Sequence, residues 1–333
     1  MKSFLEYAIV QYYPISKTYN KKPFKCLYNL SGQRLMKILS VGECMAEFSP
    51  DEQIGKFKLG FAGDTFNTAW YIANNHYDIN SAYFSKVGDD ALSERMLKFM
   101  SDNRVDTTHV EKVLGSTIGL YLISLVNGER TFSYWRDSSA ATLLGKSITD
   151  FEHAVKKQDM IYFSGITLAI LDPSSRSNLF ACLKSASRAG KKIAFDPNLR
   201  PKLWSDKKEM CDVIMAGANL SDIILPSFED EATWFSDADP MSTLHRYHRA
   251  GAETVVVKNA GEPVSFISNH GMGTHPVECI EKVIDSTAAG DSFNSEILVG
   301  ILRKIPLSEA ISNGAKLAKK VIMGHGALVK SDI

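Results

Sequence analysis

From Met36 onward, short apolar runs rich in β-branched residues alternate with stretches of helical period. That alternation predicts parallel strands joined by right-handed crossover helices. The strand candidates are KILSV, SAYFSKV, MIYFSGI, KKIAFD, DIILPS and TVVVK. Between several of them lie helical stretches of roughly 15 to 20 residues. SSRSNLFACLKSASRAG is one: its apolar positions recur at three and four, and Gly190 marks its end. The expected fold is α/β, a doubly wound, mostly parallel sheet with helices on both faces.

One region breaks the rhythm. Residues 117–136, TIGLYLISLVNGERTFSYWR, read as two alternating strands around an Asn127-Gly128 turn. A hairpin inserted into an α/β chain is often a lid. The stretch from Glu43 to Phe61 also lacks helical period and is expected to add strands to the same small β-sheet, which places the lid strands within 43–61 and 112–136. No internal repeat, low-complexity tract or linker interrupts residues 36–330, which read as a single domain.

The first 35 residues differ: they show no steady period and carry six Lys or Arg against one Glu. The natural start is expected at Met36, with residues 1–35 an upstream translation, a tag or a disordered arm; a basic organelle-targeting peptide is the sharper alternative. Across all 333 residues, 38 basic and 38 acidic side chains cancel, so no global field favours nucleic acid or an anionic membrane. Any charge selectivity must be local. Cys26, Cys44, Cys182, Cys211 and Cys279 are widely spaced, which argues against a zinc knuckle or disulfide framework and fits a reducing cytoplasm. No apolar run approaches the roughly 20 residues that span a bilayer.

Candidate chemistry concentrates in VIDSTAAGDSFNSEILVGILRK, where a strand end runs through small residues into a helix of clear period. Ala288, Ala289 and Gly290 leave backbone amides accessible at a helix start, and the unpaired amides and dipole there bind anions. Asp291 reads in two ways, as an ordinary acidic cap or as a base. A carboxylate beside an anion nest is awkward unless a hydroxyl between them is to be deprotonated, as phosphoryl transfer requires.

DSTAAGD, Asp285 to Asp291, resembles the late signature D-T-x-G/A-A/G-G-D of the ribokinase-like (PfkB) carbohydrate kinases. GFAGDTFNTAWYIA, Gly60 to Ala73, resembles the same family's sugar-binding turn and helix, G-G-x-x-x-N-x-A. The two segments lie more than 200 residues apart in the family's order, a far rarer coincidence than either alone. Through VGECMAEFSP, GLYLISLVNGERTFSYWRDSSAA and FDPNLRPKLW the resemblance extends over residues 36–330 and looks closest to the 2-keto-3-deoxygluconate kinases (2-dehydro-3-deoxygluconokinases).

The resemblance implies a ribokinase-like fold, ATP and Mg²⁺, a small acid sugar as acceptor, and Asp291 as catalytic base. It implies sugar contacts from Gly63, Asp64 and Asn67, although Asn67 also suits a helix N-terminus and Gly63 a turn. Tyr121, Tyr134 and Arg136 lie on the expected lid. Tyr134 and Arg136, two apart, share a face, and Arg136 would offer a carboxylate a planar donor pair; a solvent-facing Arg on an exposed strand is the plainer alternative. Asn198 and Arg200, after KKIAFD at a strand's carboxyl end, are implied to meet nucleotide phosphate or substrate; an Asp196–Arg200 ion pair is the structural alternative.

At the nucleotide end the family reads K-x-G-x-x-G, whereas this chain has Lys258, Ala260, Gly261 and Pro263. Contacts to ATP from Lys258 and Gly261 carry over least securely, and Lys258 alone reads better as a solvated strand end. A monovalent cation near Asp285 and Thr287 is left open. His245 and His248, one helical turn apart, read as a solvated face, so no protein metal site is expected. No P-loop occurs, nor a dinucleotide fingerprint. A fructokinase or ribokinase type, or a noncatalytic sugar or nucleotide sensor, is the alternative, and a dimer or higher homo-oligomer is expected because related lids pair.

Overall fold

The computed structural model describes residues 34–51, 53, 55–126, 129–278 and 283–330. The leader up to residue 33, the Asn127-Gly128 turn, Cys26 and Cys279 lie outside the described residues. In chain order the strands are β1 (Met36–Val41), β2 (Met45–Pro50), β3 (Phe57–Ala62), β4 (Ile79–Val87), β5 (Asp106–Lys112), β6 (Leu120–Val126) and β7 (Glu129–Trp135), then β8 (Met160–Ser164), β9 (Lys192–Asp196), β10 (Ile223–Ile224), β11 (Thr254–Val257), β12 (Val264–Ser268) and β13 (Gly271–His275). The helices are α1 (Asp64–Asn75), α2 (Ala91–Asp102), α3 (Ile148–Val155), α4 (Gly165–Ala169), α5 (Pro173–Arg188), α6 (Lys207–Ala218), α7 (Phe228–Phe235), α8 (Pro240–Arg249), α9 (Ala289–Arg303) and α10 (Leu307–Ile322).

Among the described residues one sheet runs β13-β12-β11-β10-β9-β8-β1-β4-β5, parallel throughout except for β12 and β13. Its central strands β1, β4, β8, β9, β10 and β11 are buried on both faces, as continuous apolar runs demand, whereas the edge strands β5 and β13 are half-buried to exposed. Ile161, Ile193 and Val255 point to a core shared with α3, α5, α6 and α8. The next residue of each strand, Tyr162, Ala194 and Val256, points to a core shared with α1, α9 and α10. The strand period of two thus feeds two helix layers from one sheet. In DIILPS the regular strand covers Ile223 and Ile224; Pro226, with no N–H for the ladder, interrupts it, although the Leu225 amide still donates to the Phe195 carbonyl and the Pro226 carbonyl accepts from the Lys258 amide.

The second sheet, β3-β2-β6-β7, is built from two detours. β2 and β3 interrupt the chain between β1 and α1; β6 and β7 interrupt it between β5 and α3. Both detours leave from carboxyl ends of the large sheet, so the small sheet rises on the side where open α/β sheets bind ligands.

Local signals set most helix starts. Asp172 caps α5 by accepting from the amides of Ser174 and Ser175, with Pro173 in the first turn. Asp90, Asp206 and Asp239 cap α2, α6 and α8 in the same way. α1 and α9 are different: neither has a side-chain cap.

The loop after β9 is set by a close approach. A Cβ on Gly165 would lie 1.9 Å from the carbonyl oxygen of Pro197. Gly165→Ala is therefore expected to push residues 197–200 away from α4 and to cost about 1–3 kcal/mol. Thermal unfolding checks it, and an unchanged Tm would show that this loop moves freely.

Candidate active site

The N-terminal turns of α1 and α9 meet at the carboxyl edge of the large sheet. Asn67 Nδ2 donates to Asp291 Oδ2 at 2.8 Å, and Thr68 Oγ1 donates to the Asp291 carbonyl at 3.1 Å. Asn67 Oδ1 also accepts from the Gly63 amide at 3.3 Å. Asn67 is therefore more than a helix-terminal residue. Gly63 is required by closeness, since a Cβ there would lie 2.1 Å from the Glu43 carbonyl, while its backbone is extended.

The run into α9 is held from beneath. Asp285 Oδ1 accepts from the Thr287 amide at 3.0 Å and Oδ2 from the Gly326 amide at 2.7 Å. Ala288 then takes φ 60°, a left-handed conformation rare for a residue with a Cβ, and α9 begins. No side chain caps the helix start at Ala288, Ala289 and Gly290, so its dipole is open to a ligand, although the Ala289 amide also donates to the Ser286 carbonyl at 3.3 Å.

Below lies a buried polar network centred on Asp196. It accepts from Lys258 Nζ at 2.8 Å, from Asn294 Nδ2 at 2.6 Å and from the Asn198 amide at 3.1 Å. Asn294 Nδ2 also reaches the Tyr162 hydroxyl at 3.2 Å. Lys258 is not a solvated strand end: its Nζ also donates to Asn294 Oδ1 at 3.1 Å and sits 3.5 Å from where a Cβ on Gly290 would be. Asn198, at φ 34°, turns its side chain toward the sugar end and donates to Asp64 Oδ2 at 2.7 Å.

Arg200 does not pair with Asp196. It donates to its own Leu199 carbonyl at 2.7 Å and lies 3.5 Å from Asp230, with its side chain 51% exposed. It is thus available to an incoming anion. Gly261 is exposed with open space around it, and the turn strain falls on Ala260 at φ 46°, where the family pattern has glycine.

On the small sheet the rings of Tyr121 and Tyr134 stand 5.8 Å apart on paired strands, and the Tyr121 hydroxyl donates to Glu47. Arg136 lies just beyond β7, buried rather than solvent-facing, and its Nη2 pairs with Glu43. Its Nε is buried without a partner. Burial raises the Tyr134 phenol above its usual range, and the charges of Arg136 and Arg200 both oppose that rise.

Three acids with functional bearing escaped the sequence reading: Glu43, Glu47 and Asp230. Glu43 follows β1 and Asp230 follows β10, both just past the carboxyl ends of parallel strands, and that position was the available signal. Asn294 was missed as well, although it lies one helical turn from Asp291. No group of three or more His, Cys, Asp or Glu able to hold a metal occurs among the described residues. His245 and His248 are exposed on α8, and His248 Nδ1 is engaged with the Ala252 carbonyl at 2.9 Å.

Burial, followed by the Asp64 carboxylate, pushes Asp291 up to about 8; Asp196 adds to this, while the Asn67 hydrogen bond and Lys258 oppose it. A carboxylate beside an uncapped helix start, facing a second helix start, is an arrangement that phosphoryl transfer can use.

The pfkB family carbohydrate kinase model matches residues 36–332, and the chain belongs to that family. A 2-dehydro-3-deoxygluconokinase of Haemophilus influenzae is 36% identical over 304 residues, covering 89% of this chain and 96% of that one. The crystal structure of a 2-dehydro-3-deoxygluconokinase from Thermotoga maritima superposes with TM-score 0.78 at 21% identity, covering 88% and 96%. A putative ribokinase II from Escherichia coli in complex with ATP and Mg²⁺ gives TM-score 0.77 at 19% identity, covering 88% and 95%. The chain is a carbohydrate kinase with the fold of these structures. No helix among the described residues is long and apolar enough to cross a membrane.

The raised Asp291 carries a stability consequence. Between the ordinary aspartate range and about 8 the folded state holds a proton the unfolded chain releases, so this group costs stability as pH rises across that window. Asp291→Asn removes the cost. It is expected to raise Tm relative to the parent, with a larger gap at pH 9 than at pH 6; a gap independent of pH would show that Asp291 is not the titrating group.

Proposed function

We propose that the protein transfers the γ-phosphoryl group of ATP to the terminal hydroxyl of 2-keto-3-deoxy-D-gluconate, giving ADP and the 6-phosphate. The observation that carries the reading is the hydrogen bond between Asn67 and Asp291, which joins the sugar-binding turn to the base across 224 positions. The 36% identity to the Haemophilus influenzae enzyme supports the substrate, and so does the buried Nε of Arg136, which has no partner.

In this reading Asp64, Asn67 and the Gly63 turn bind sugar hydroxyls, and Tyr121, Tyr134 and Arg136 cover the acid end from the lid. The acceptor oxygen attacks the γ-phosphorus, the bond from that phosphorus to the β-bridging oxygen breaks, and the acceptor proton passes to Asp291. The amides of Ala288, Ala289 and Gly290 meet the charge that develops. Arg200 reaches the phosphates from the open side, while Lys258 supports the loop from below and Asn198 positions Asp64. Gly261 borders the nucleotide base. Mg²⁺ supplies charge neutralisation on the phosphates; Asp230, the half-buried acid beside Arg200, fits its water ligands, and no larger cage is needed. Asp285 already spends both carboxylate oxygens on backbone amides, so the reading invokes no monovalent cation. ATP supply and the free thiols of Cys44, Cys182 and Cys211 suit the cytoplasm.

An ADP-release assay over keto-deoxy acids and neutral sugars tests this. Turnover is expected on the acid, rising with pH as Asp291 ionises through about 8. Asp291→Asn is expected to lower kcat by roughly 10² to 10⁴. Turnover on fructose or ribose alone would favour a neutral-sugar kinase, and ATP binding without turnover a sensor.

We also propose a homodimer through the small sheet. β7 is an edge strand that exposes Phe132 and Trp135, and the opposite edge exposes Phe57. Sedimentation is expected to give a dimer that Trp135→Glu dissociates; a monomeric parent protein would overturn it.

A further inference from the structure

Glu43 lies outside the motifs that mark the site, yet it touches three of the elements that build it. Its side chain is 1% exposed. One carboxylate oxygen takes Arg136 Nη2 and the other accepts from Ser139 Oγ at 2.5 Å. The space around it is closed: a Cβ on Gly119 would come within 2.6 Å of Oε1, and the Glu43 carbonyl abuts Gly63. Burial raises this carboxyl above its usual range, and the Asp64 carboxylate adds to the rise.

A buried carboxylate is costly unless paired and hydrogen-bonded, and here two polar side chains meet it. Its guanidinium partner is left incomplete. Arg136, 8% exposed at the side chain, has Nε buried without an acceptor. An unmet buried donor is unfavourable, and a bound ligand oxygen removes that penalty. Arg136 lies just past β7, two residues from Tyr134 on the small sheet, and its charge and that of the exposed Arg200 both act on Tyr134, so the cleft side is where such an oxygen arrives.

We propose that Glu43 is a positioning residue: it holds Nη2 of the Arg136 guanidinium in place so that the donors it leaves free, Nε among them, are presented to the carboxylate of the sugar substrate, and thereby sets the preference for an acid over a neutral sugar. The inference rests on the acid-sugar reading given above. Ser139 supports the clamp by holding the second Glu43 oxygen. Arg136 then needs no ordering when substrate arrives, which is where affinity gains from preorganisation originate.

Two effects of removing the Glu43 charge have opposite signs, and this makes the proposal decidable. A pure counter-charge would weaken anion binding, so its loss would lower KM for the acid. A clamp fixes geometry, so its loss would raise that KM. The test compares 2-keto-3-deoxygluconate with 3-deoxyfructose, the same chain with CH₂OH in place of the carboxylate, on the parent enzyme, Glu43→Gln and Ser139→Ala, each with its Tm recorded.

The parent is expected to prefer the acid. In Glu43→Gln, KM for the acid is expected to rise about tenfold, the order of one charge-assisted hydrogen bond. Its kcat on the acid and its kcat/KM on 3-deoxyfructose should stay within about threefold of the parent, so the loss is a loss of preference. Ser139→Ala is expected to move the same ratio by about threefold, and it carries the test if Glu43→Gln does not fold. A fall in KM for the acid, an equal loss on both substrates, or an unchanged ratio in both variants overturns the clamp while leaving the acid-sugar reading intact. A parent enzyme with no preference for the acid overturns both, and is seen before any variant is made.

Discussion

The hydrogen bond from Asn67 to Asp291 is the contact on which the site depends, because it fixes the start of α1 against the start of α9. Each helix follows a different strand region and neither N-cap residue caps its helix with a side chain, so two positive dipole ends meet at the same place. A capping aspartate would have stabilised either helix by about 1 kcal/mol. Here the acid that would normally cap α9 is placed inside its first turn as Asp291.

Electrostatics follow from this crowding. Asp64 and Asp196 gather around Asp291 in the cleft, and their like charges in a poorly solvated site add to the rise that burial imposes on Asp291. Lys258 offsets part of the cost through Asp196. Asn67, Asn198 and Asn294 serve each carboxylate with a neutral donor, which orders the acids without cancelling them. Neutral donors leave the cleft short of positive charge. That charge enters on exposed Arg200 and on the N-terminal dipole of α9, both of which point at an incoming anion.

Much of this was legible in the sequence. The alternation of apolar runs and helical periods marked the large sheet, and DSTAAGD and GFAGDTFNT marked the two turns that meet. What the sequence did not reveal was partnership. Arg136 read as an open hand for a carboxylate, whereas its Nη2 is already taken by Glu43, 93 positions earlier. Lys258 read as a solvated strand end because its place in the chain shows no buried partner; Asp196 lies 62 positions away on the strand reached through β10. Ionic partners across a parallel sheet are set by strand order, and strand order is not a local property.

Two alanines at positive φ are held there by the backbone around them, and only Ala260 departs from the family pattern. Ala260 stands where the pattern has glycine and takes φ 46°, and Ala288 takes φ 60° at the start of α9. Each costs about 1 kcal/mol relative to glycine in the same conformation. Both persist because their surroundings fix them. Ala260 follows Lys258, which the Asp196 network holds, and Ala288 follows a loop tied at Asp285 to the Gly326 amide. A loop so held cannot relax toward ordinary φ without breaking the bonds that place the α9 amides. The strain is therefore the cost of keeping an anion site formed before the anion arrives.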